Sequence, residues 1–126
     1  AKVLETYNTV DVLIVSVGVM LKNAMETKKL LNDMGFSVSL VDAFCIKPID
    51  ISTIRRESNK AKIVVTIENN VIIGGFGEIL QSQLDRSIVK FAYKDEPIPQ
   101  GSVKELEEKY GLSPQSIADK IKKLLR

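Results

Sequence analysis

Apolar residues in this chain gather in short blocks set apart by charged ones, and the period inside the blocks changes along the chain. Val12-Leu13-Ile14-Val15-Ser16-Val17 is a β-rich run closed by Gly18. A strand buried on both faces of a sheet reads this way, because neither side of the pleat meets water. From Met20 to Met34 the pattern changes: Ala24, Lys28 and Leu31, and beside them Met25, Leu30 and Met34, stand near helical spacing. Gly35 follows as a C-terminal cap, since glycine adopts the left-handed conformation that ends a helix without a Cβ penalty. Phe36 to Val41 returns to a period of two, with Ser37 and Ser39 between apolar positions. Strand, helix of about 15 residues and strand make a βαβ unit, whose strands are parallel.

The same reading continues through the chain. Pro48 keeps the Ala43–Pro48 connector out of a regular helix, and Asp50 or Ser52 caps a short helix reaching Lys60. Lys62–Ile67 is a third strand. Glu68–Gly77 reads as a loop, followed by a helix from about Phe76 to Asp85. Ser87–Tyr93 is a fourth strand, able to pair either way. After the loop from Asp95 to Gly101, Ser102 and Glu105 form a capping box for a helix ending at Gly111. Ser113-Pro114, an N-cap followed by proline at the first helical position, opens a last helix with Ile117, Ile121, Leu124 and Leu125 on one face. The order β-α-β-α-β-α-β and two helices predicts a mainly parallel sheet covered on both faces, a three-layer α/β/α domain over residues 1–126.

Composition narrows the classes of function. The chain has 126 residues, 18 basic and 16 acidic, for a net charge of +2, and its basic residues are scattered. That balance gives little attraction to nucleic acid or anionic lipid. No apolar run approaches the ~20 residues of a membrane span. Cys45 stands alone, which excludes an internal disulfide and suits a reducing, cytoplasmic setting. Histidine is absent, so the commonest general base and metal ligand is missing, which counts against a self-contained hydrolase or zinc enzyme.

The densest local feature is Gly74-Gly75-Phe76-Gly77, between a strand and a helix. A dinucleotide fingerprint requires G-x-G-x-x-G; Gly75, Gly77 and Leu80 supply only two of its glycines, and no P-loop lysine is present. The favoured reading is a turn that brings the helix close to another surface. Glu68 ends a predicted parallel strand, at the edge where ligands and partners of open α/β sheets bind. With no second catalytic group near it in sequence, we read it as structural or interfacial, and Asn69 and Asn70 as turn residues. Cys45 lacks an activating partner and reads as an inert buried thiol, and Lys47 as a solvated lysine. Val71, Ile72 and Ile73 are three consecutive apolar residues in the predicted loop, and such a patch marks a contact site when exposed. The candidate interface is therefore Glu68, Asn69, Asn70, Val71, Ile72, Ile73, Gly74, Gly75, Phe76 and Gly77, with no catalytic, cofactor-binding or metal-binding residue assigned.

Three segments, in order, resemble the C-terminal domain of the transketolase family of thiamine-diphosphate enzymes, on the side of the 1-deoxy-D-xylulose-5-phosphate synthases. Val41-Asp42-Ala43-Phe44-Cys45-Ile46-Lys47-Pro48-Ile49-Asp50 resembles that family's strand and connector ending in Lys-Pro-Leu-Asp. Val65-Thr66-Ile67-Glu68-Asn69-Asn70-Val71 with Gly74–Gly77 resembles its Val-Thr-x-Glu-Glu-Asn motif and glycine loop. Ile98-Pro99-Gln100-Gly101-Ser102, with Glu105-Leu106 and Gly111-Leu112, resembles its Ile-Pro-Gln-Gly segment. The resemblance implies five strands, one antiparallel at an edge and drawn from Val3–Glu5 or Ala43–Ile46. It also implies a domain of a homodimeric enzyme that converts pyruvate and glyceraldehyde 3-phosphate to 1-deoxyxylulose 5-phosphate and carbon dioxide. Thiamine diphosphate and magnesium belong to other domains of that parent. This domain is expected to pack on the central pyrimidine-binding domain, to support the dimer and to be inactive alone. Transketolases and the β-type subunits of 2-oxoacid dehydrogenases share the domain and remain alternatives, as does a free-standing ligand-binding module using the Gly74–Gly77 loop.

Overall fold

The structure, a computed structural model, describes residues 2–5, 9–17, 20–43, 51–71, 76–84, 86–93 and 111–125, and of residues 2–5, 69–71, 76 and 93 the backbone alone. In chain order the elements are β1 (Lys2–Glu5), β2 (Val10–Ser16), α1 (Leu21–Asp33), β3 (Val38–Asp42), α2 (Ile51–Ser58), β4 (Ala61–Val71), α3 (Phe76–Leu84), β5 (Val89–Tyr93) and α4 (Pro114–Leu124). The strands form a sheet of order β1-β3-β2-β4-β5. β3, β2, β4 and β5 are mutually parallel, while β1 runs antiparallel along β3, with Val3 opposite Val41. Of the two expected sources of the edge strand, the N-terminal one is realised. β5, which sequence left open in direction, is parallel to β4.

The sheet separates two cores, as the period of two along its strands requires. Val12, Ile14, Val38, Leu40, Val65 and Ile67 face one side, where Met20, Ala24 and Leu31 from the first helical segment meet Ile117, Ala118 and Ile121 of α4. Leu13, Val15, Val41 and Val64 face the other side, against Ile54 of α2 and Leu80 and Leu84 of α3. Register keeps the two sets apart: Val12 is opposite Val38 and Ile63, and Leu13 opposite Ser39 and Val64. The three-layer arrangement follows directly.

Local signals account for most boundaries. Gly35 has φ +95° after α1, and Gly111 has φ +70° ahead of α4. The Ser113 side chain accepts the Ser116 amide at 3.2 Å, with Pro114 in the first turn. Two expectations are corrected. Ser52 lies inside α2 rather than ahead of it; Asp50, the other candidate cap, is outside the described residues. The predicted loop from Glu68 is strand as far as Val71, because β5 extends far enough to pair Tyr93 with Val71. Between Ile67 and Val71 the ladder shifts register, four steps on β4 against two from Phe91 to Tyr93 on β5. An irregularity of this kind lets a strand with poor β-formers such as Asn69 and Asn70 continue. The capping-box helix of 102–111, the Asp95–Gly101 loop, Cys45 and Lys47 lie outside the described residues.

At the opposite, amino-terminal edge, Asp11 and Ser37 exchange bonds. The Asp11 amide donates to Ser37 Oγ at 2.9 Å, the Ser37 amide donates to Asp11 Oδ2 at 3.0 Å, and Lys62 Nζ stands 3.1 Å from Asp11 Oδ1. The Ser37 amide, with help from Lys62 and against the effect of partial burial, holds the Asp11 carboxyl below its ordinary value of 3.8. A group depressed on folding adds stability above its unfolded pKa, and that addition is lost as pH falls through the lower folded value. Asp11→Asn is therefore expected to lower stability in urea titrations at pH 7 and to converge with the wild type in acid below the folded pKa.

Candidate functional site

Sheet order places a topological switch between β2 and β4. From β2 the chain crosses to β3 on one side, and it then returns to β4 on the other. The carboxyl ends of these two strands are bound together: the Val17 amide donates to the Ile67 carbonyl at 3.2 Å, and Ser16 is opposite Ile67. Glu68 is the next residue of β4, at the position where open α/β sheets take up ligands or partners.

Alternation sends the Glu68 side chain to the face of Val64 and Thr66, under α3. It is 1% exposed, and its Oε2 accepts the Gly77 amide at 2.8 Å. That amide belongs to the first turn of α3, one of the four N–H groups that a helix cannot satisfy internally. A carboxylate here completes the hydrogen bond and meets the positive end of the helix dipole. The Glu68 carboxylate is thus a helix cap enclosed by protein. Acid–base catalysis would require a substrate proton within hydrogen-bond reach of it.

Gly77 lies against the sheet. A Cβ on Gly77 would stand 2.7 Å from Thr66 Oγ1 and 2.8 Å from Lys90 Cγ, and Thr66 and Lys90 are register partners on β4 and β5. This is the close approach that the glycine cluster suggested, located at its last member. Thr66 Oγ1 is buried without a hydrogen-bond partner among the described residues.

Of the ten candidate residues, the structure brings Glu68 and Gly77 together. It places the backbones of Asn69, Asn70 and Val71 on β4 and that of Phe76 at the start of α3; Ile72, Ile73, Gly74 and Gly75 lie outside the described residues. Sequence reasoning did not identify Thr66 or Lys90 as parts of this junction. The available signal was alternation from Glu68, which puts Thr66 on the same face two residues earlier. Among the described residues no group of three or more His, Cys, Asp or Glu could hold a metal ion. No helix among them is long and apolar enough to cross a membrane.

The sheet order, the two-sided core and a glutamate-capped helix beside the switch point define a three-layer α/β domain. The family described as "Transketolase, C-terminal domain" matches residues 1–117, and the chain belongs to that family. It is 32% identical over 117 residues to a 1-deoxy-D-xylulose-5-phosphate synthase of Clostridium tetani, a match covering 89% of this chain and 19% of that protein. It is 36% identical over 118 residues to the synthase of Clostridium botulinum (strain Eklund 17B), covering 90% of this chain and 19% of that protein. The solved structure of a split gene transketolase, an inactive beta4 tetramer, superposes with a TM-score of 0.86 at 30% identity, over 98% of this chain and 41% of that one. The chain thus spans about a fifth of the length of the synthases it matches.

Proposed function

We propose that this chain is the C-terminal domain of a thiamine-diphosphate-dependent transferase of the 1-deoxy-D-xylulose-5-phosphate synthase type. In this reading it packs against the central pyrimidine-binding domain of a cytoplasmic homodimer and supplies no catalytic group. The observation that carries this reading is the enclosed Glu68 carboxylate at the switch point. The position that holds ligands in many α/β sheets is here occupied by a cap, and in sequence the 69–76 segment follows it. That segment contains Val71, Ile72 and Ile73, three adjacent apolar residues, each stabilising by roughly 1.5–3 kcal/mol when buried. Similarity to the synthases over most of the chain favours a two-carbon transfer from pyruvate to glyceraldehyde 3-phosphate in the parent. There, thiamine diphosphate and magnesium supply the carbanion chemistry when bound in the other domains. The solved split gene transketolase motivates a second reading, in which the domain ends a transketolase made of two polypeptides.

The test uses the whole gene-encoded protein. With thiamine diphosphate and magnesium, it should release carbon dioxide from pyruvate only when glyceraldehyde 3-phosphate is present, while residues 1–126 alone should release none above background. Two-carbon transfer from a ketose phosphate without carbon dioxide would favour the transketolase reading. Ile72→Asp with Ile73→Asp should weaken domain docking, read as protease sensitivity, and lower activity in parallel. Normal activity and protease resistance in that double variant would remove the segment from the interface.

A further inference from the structure

The amino edge of the sheet lies opposite the switch point, and the function proposed above makes no use of it. β3, β2 and β4 stand side by side and parallel, so the residues that lead into them gather at that edge. Among them is a cleft of about 350 Å³. It is lined by Thr9 ahead of β2, Asp11 within it, Ser37 ahead of β3, and Asn59, Lys60 and Lys62 at the turn into β4. That volume stands at the lower end of the range for small-molecule sites, about 300–1,000 Å³. The walls are tied to one another. The Val10 amide donates to the Lys60 carbonyl at 2.8 Å, and the Lys60 amide to the Glu57 carbonyl at 3.2 Å. Arg86 holds the Ser58 and Lys62 carbonyls at 2.6 and 3.0 Å, and the Asp11–Ser37 exchange joins the start of β3. A cleft held in this way has little left to order when a ligand enters.

The lining selects the chemistry. Residues 55–62 carry four basic side chains and one acidic one, in a chain whose net charge is +2. Two of the four, Lys60 and Lys62, line the cleft. Lys62 is 73% exposed with Nζ 3.1 Å from Asp11 Oδ1, and Lys60 Nζ stands 3.0 Å from Glu57 Oε2. Asp11 is the one carboxylate in the lining, and it is closed to a cation: Oδ2 takes the Ser37 amide and Oδ1 faces the Lys62 ammonium. Thr9 and Asn59, both exposed, add a hydroxyl and a carboxamide. Apolar contact comes only from Val10 and Ala61, so an apolar ligand has little to bury against. We infer that this cleft is a binding site for a small phosphorylated anion, with Lys60 and Lys62 as its point charges and Thr9 and Asn59 as neutral donors. The inference stands independently of the family and of the reaction proposed for the parent.

The experiment is lysine footprinting on the whole gene-encoded protein at constant ionic strength. Acylation by a succinimidyl ester is read at each lysine by peptide mass spectrometry, with glycerol 2-phosphate, inorganic phosphate and acetate as probes. Glycerol 2-phosphate should slow acylation of Lys60 and Lys62 several-fold and saturably, while Lys22, exposed at the start of α1, reacts at an unchanged rate. Equal protection by inorganic phosphate would support a site for the phosphoryl group alone, and weaker protection a site that also holds the organic part. In Lys62→Gln, a change at an exposed position that leaves both cores intact, the concentration half-protecting Lys60 should rise several-fold. No saturable protection by either phosphate overturns the site, as does equal protection by acetate or slowing of Lys22 in step. Unchanged half-protection of Lys60 in Lys62→Gln overturns the paired-lysine assignment.

Discussion

Ile54→Ala is expected to destabilise the domain by about 2–5 kcal/mol, the range for truncating a buried Leu, Ile or Met side chain. Ile54 is fully enclosed, and in the second core it is the fully buried apolar residue that α2 contributes, with Ile51 packed only partly against it. An eight-residue helix is too short to persist without such packing. The rest of its attachment is polar. Glu57 is 1% exposed and pairs with Arg56 Nε at 3.2 Å and Lys60 Nζ at 3.0 Å. Arg86 donates to the Ser58 carbonyl at 2.6 Å and the Lys62 carbonyl at 3.0 Å, tying the end of α2 to the start of β4. Those bonds orient the helix and do not replace the lost methyl groups. Since whole domains are stable by only about 5–15 kcal/mol, the effect should appear as a large drop in the urea midpoint. Ile54→Val should cost about 0.5–1.5 kcal/mol. Met25→Ala, at a helix position 52% exposed, should change stability by less than about 0.5 kcal/mol. A midpoint for Ile54→Ala equal to that of Met25→Ala would show that α2 is not held by the second core.

Gly77→Ala is the second large effect. The added methyl would enter 2.7 Å from Thr66 Oγ1 and 2.8 Å from Lys90 Cγ, with Lys90 Cδ at 3.2 Å. The lysine stem can swing aside, but Thr66 is β-branched, fully buried and set in a central strand, so its branch cannot leave without putting the other in its place. α3 must therefore lift from the sheet, straining the Glu68 bond to the Gly77 amide. Overpacking of this kind costs about 1–3 kcal/mol. The physical cause is specific enough to predict a suppressor. Thr66→Ala removes the rigid obstacle together with a hydroxyl that has no hydrogen-bond partner among the described residues. The Gly77→Ala, Thr66→Ala pair should therefore be more stable than additivity predicts, a coupling that a double-mutant cycle in urea reads directly. Additive effects would mean that the two side chains do not compete for the same space.

Much of this architecture was legible along the chain because short-range chemistry determined it. The runs Val12–Val17 and Lys62–Ile67 admit few conformations other than strands covered on both faces, and the structure buries both faces. Gly35 at φ +95° and the Ser113-Pro114 cap work through backbone geometry within one turn, so sequence alone reveals them. Three motifs in order pointed to the family, and the match over residues 1–117 shows it.

Tertiary structure decided what depends on a distant partner. Lys2–Glu5 is four residues long and becomes a strand by pairing with β3. α1 carries two plausible apolar rows and buries the one with Ala24 and Leu31, because α4 and the sheet cover that side and leave Met25 outside. β4 runs on through Glu68 to Val71, where Tyr93 of β5 pairs with Val71, although asparagines alone argue for a turn. Glu68 itself is ambiguous in sequence, since a carboxylate at a switch point suits a ligand, a proton or a cap. That it caps α3 follows from the Gly77 amide nine residues on, which only the packing of α3 onto β4 brings within 2.8 Å.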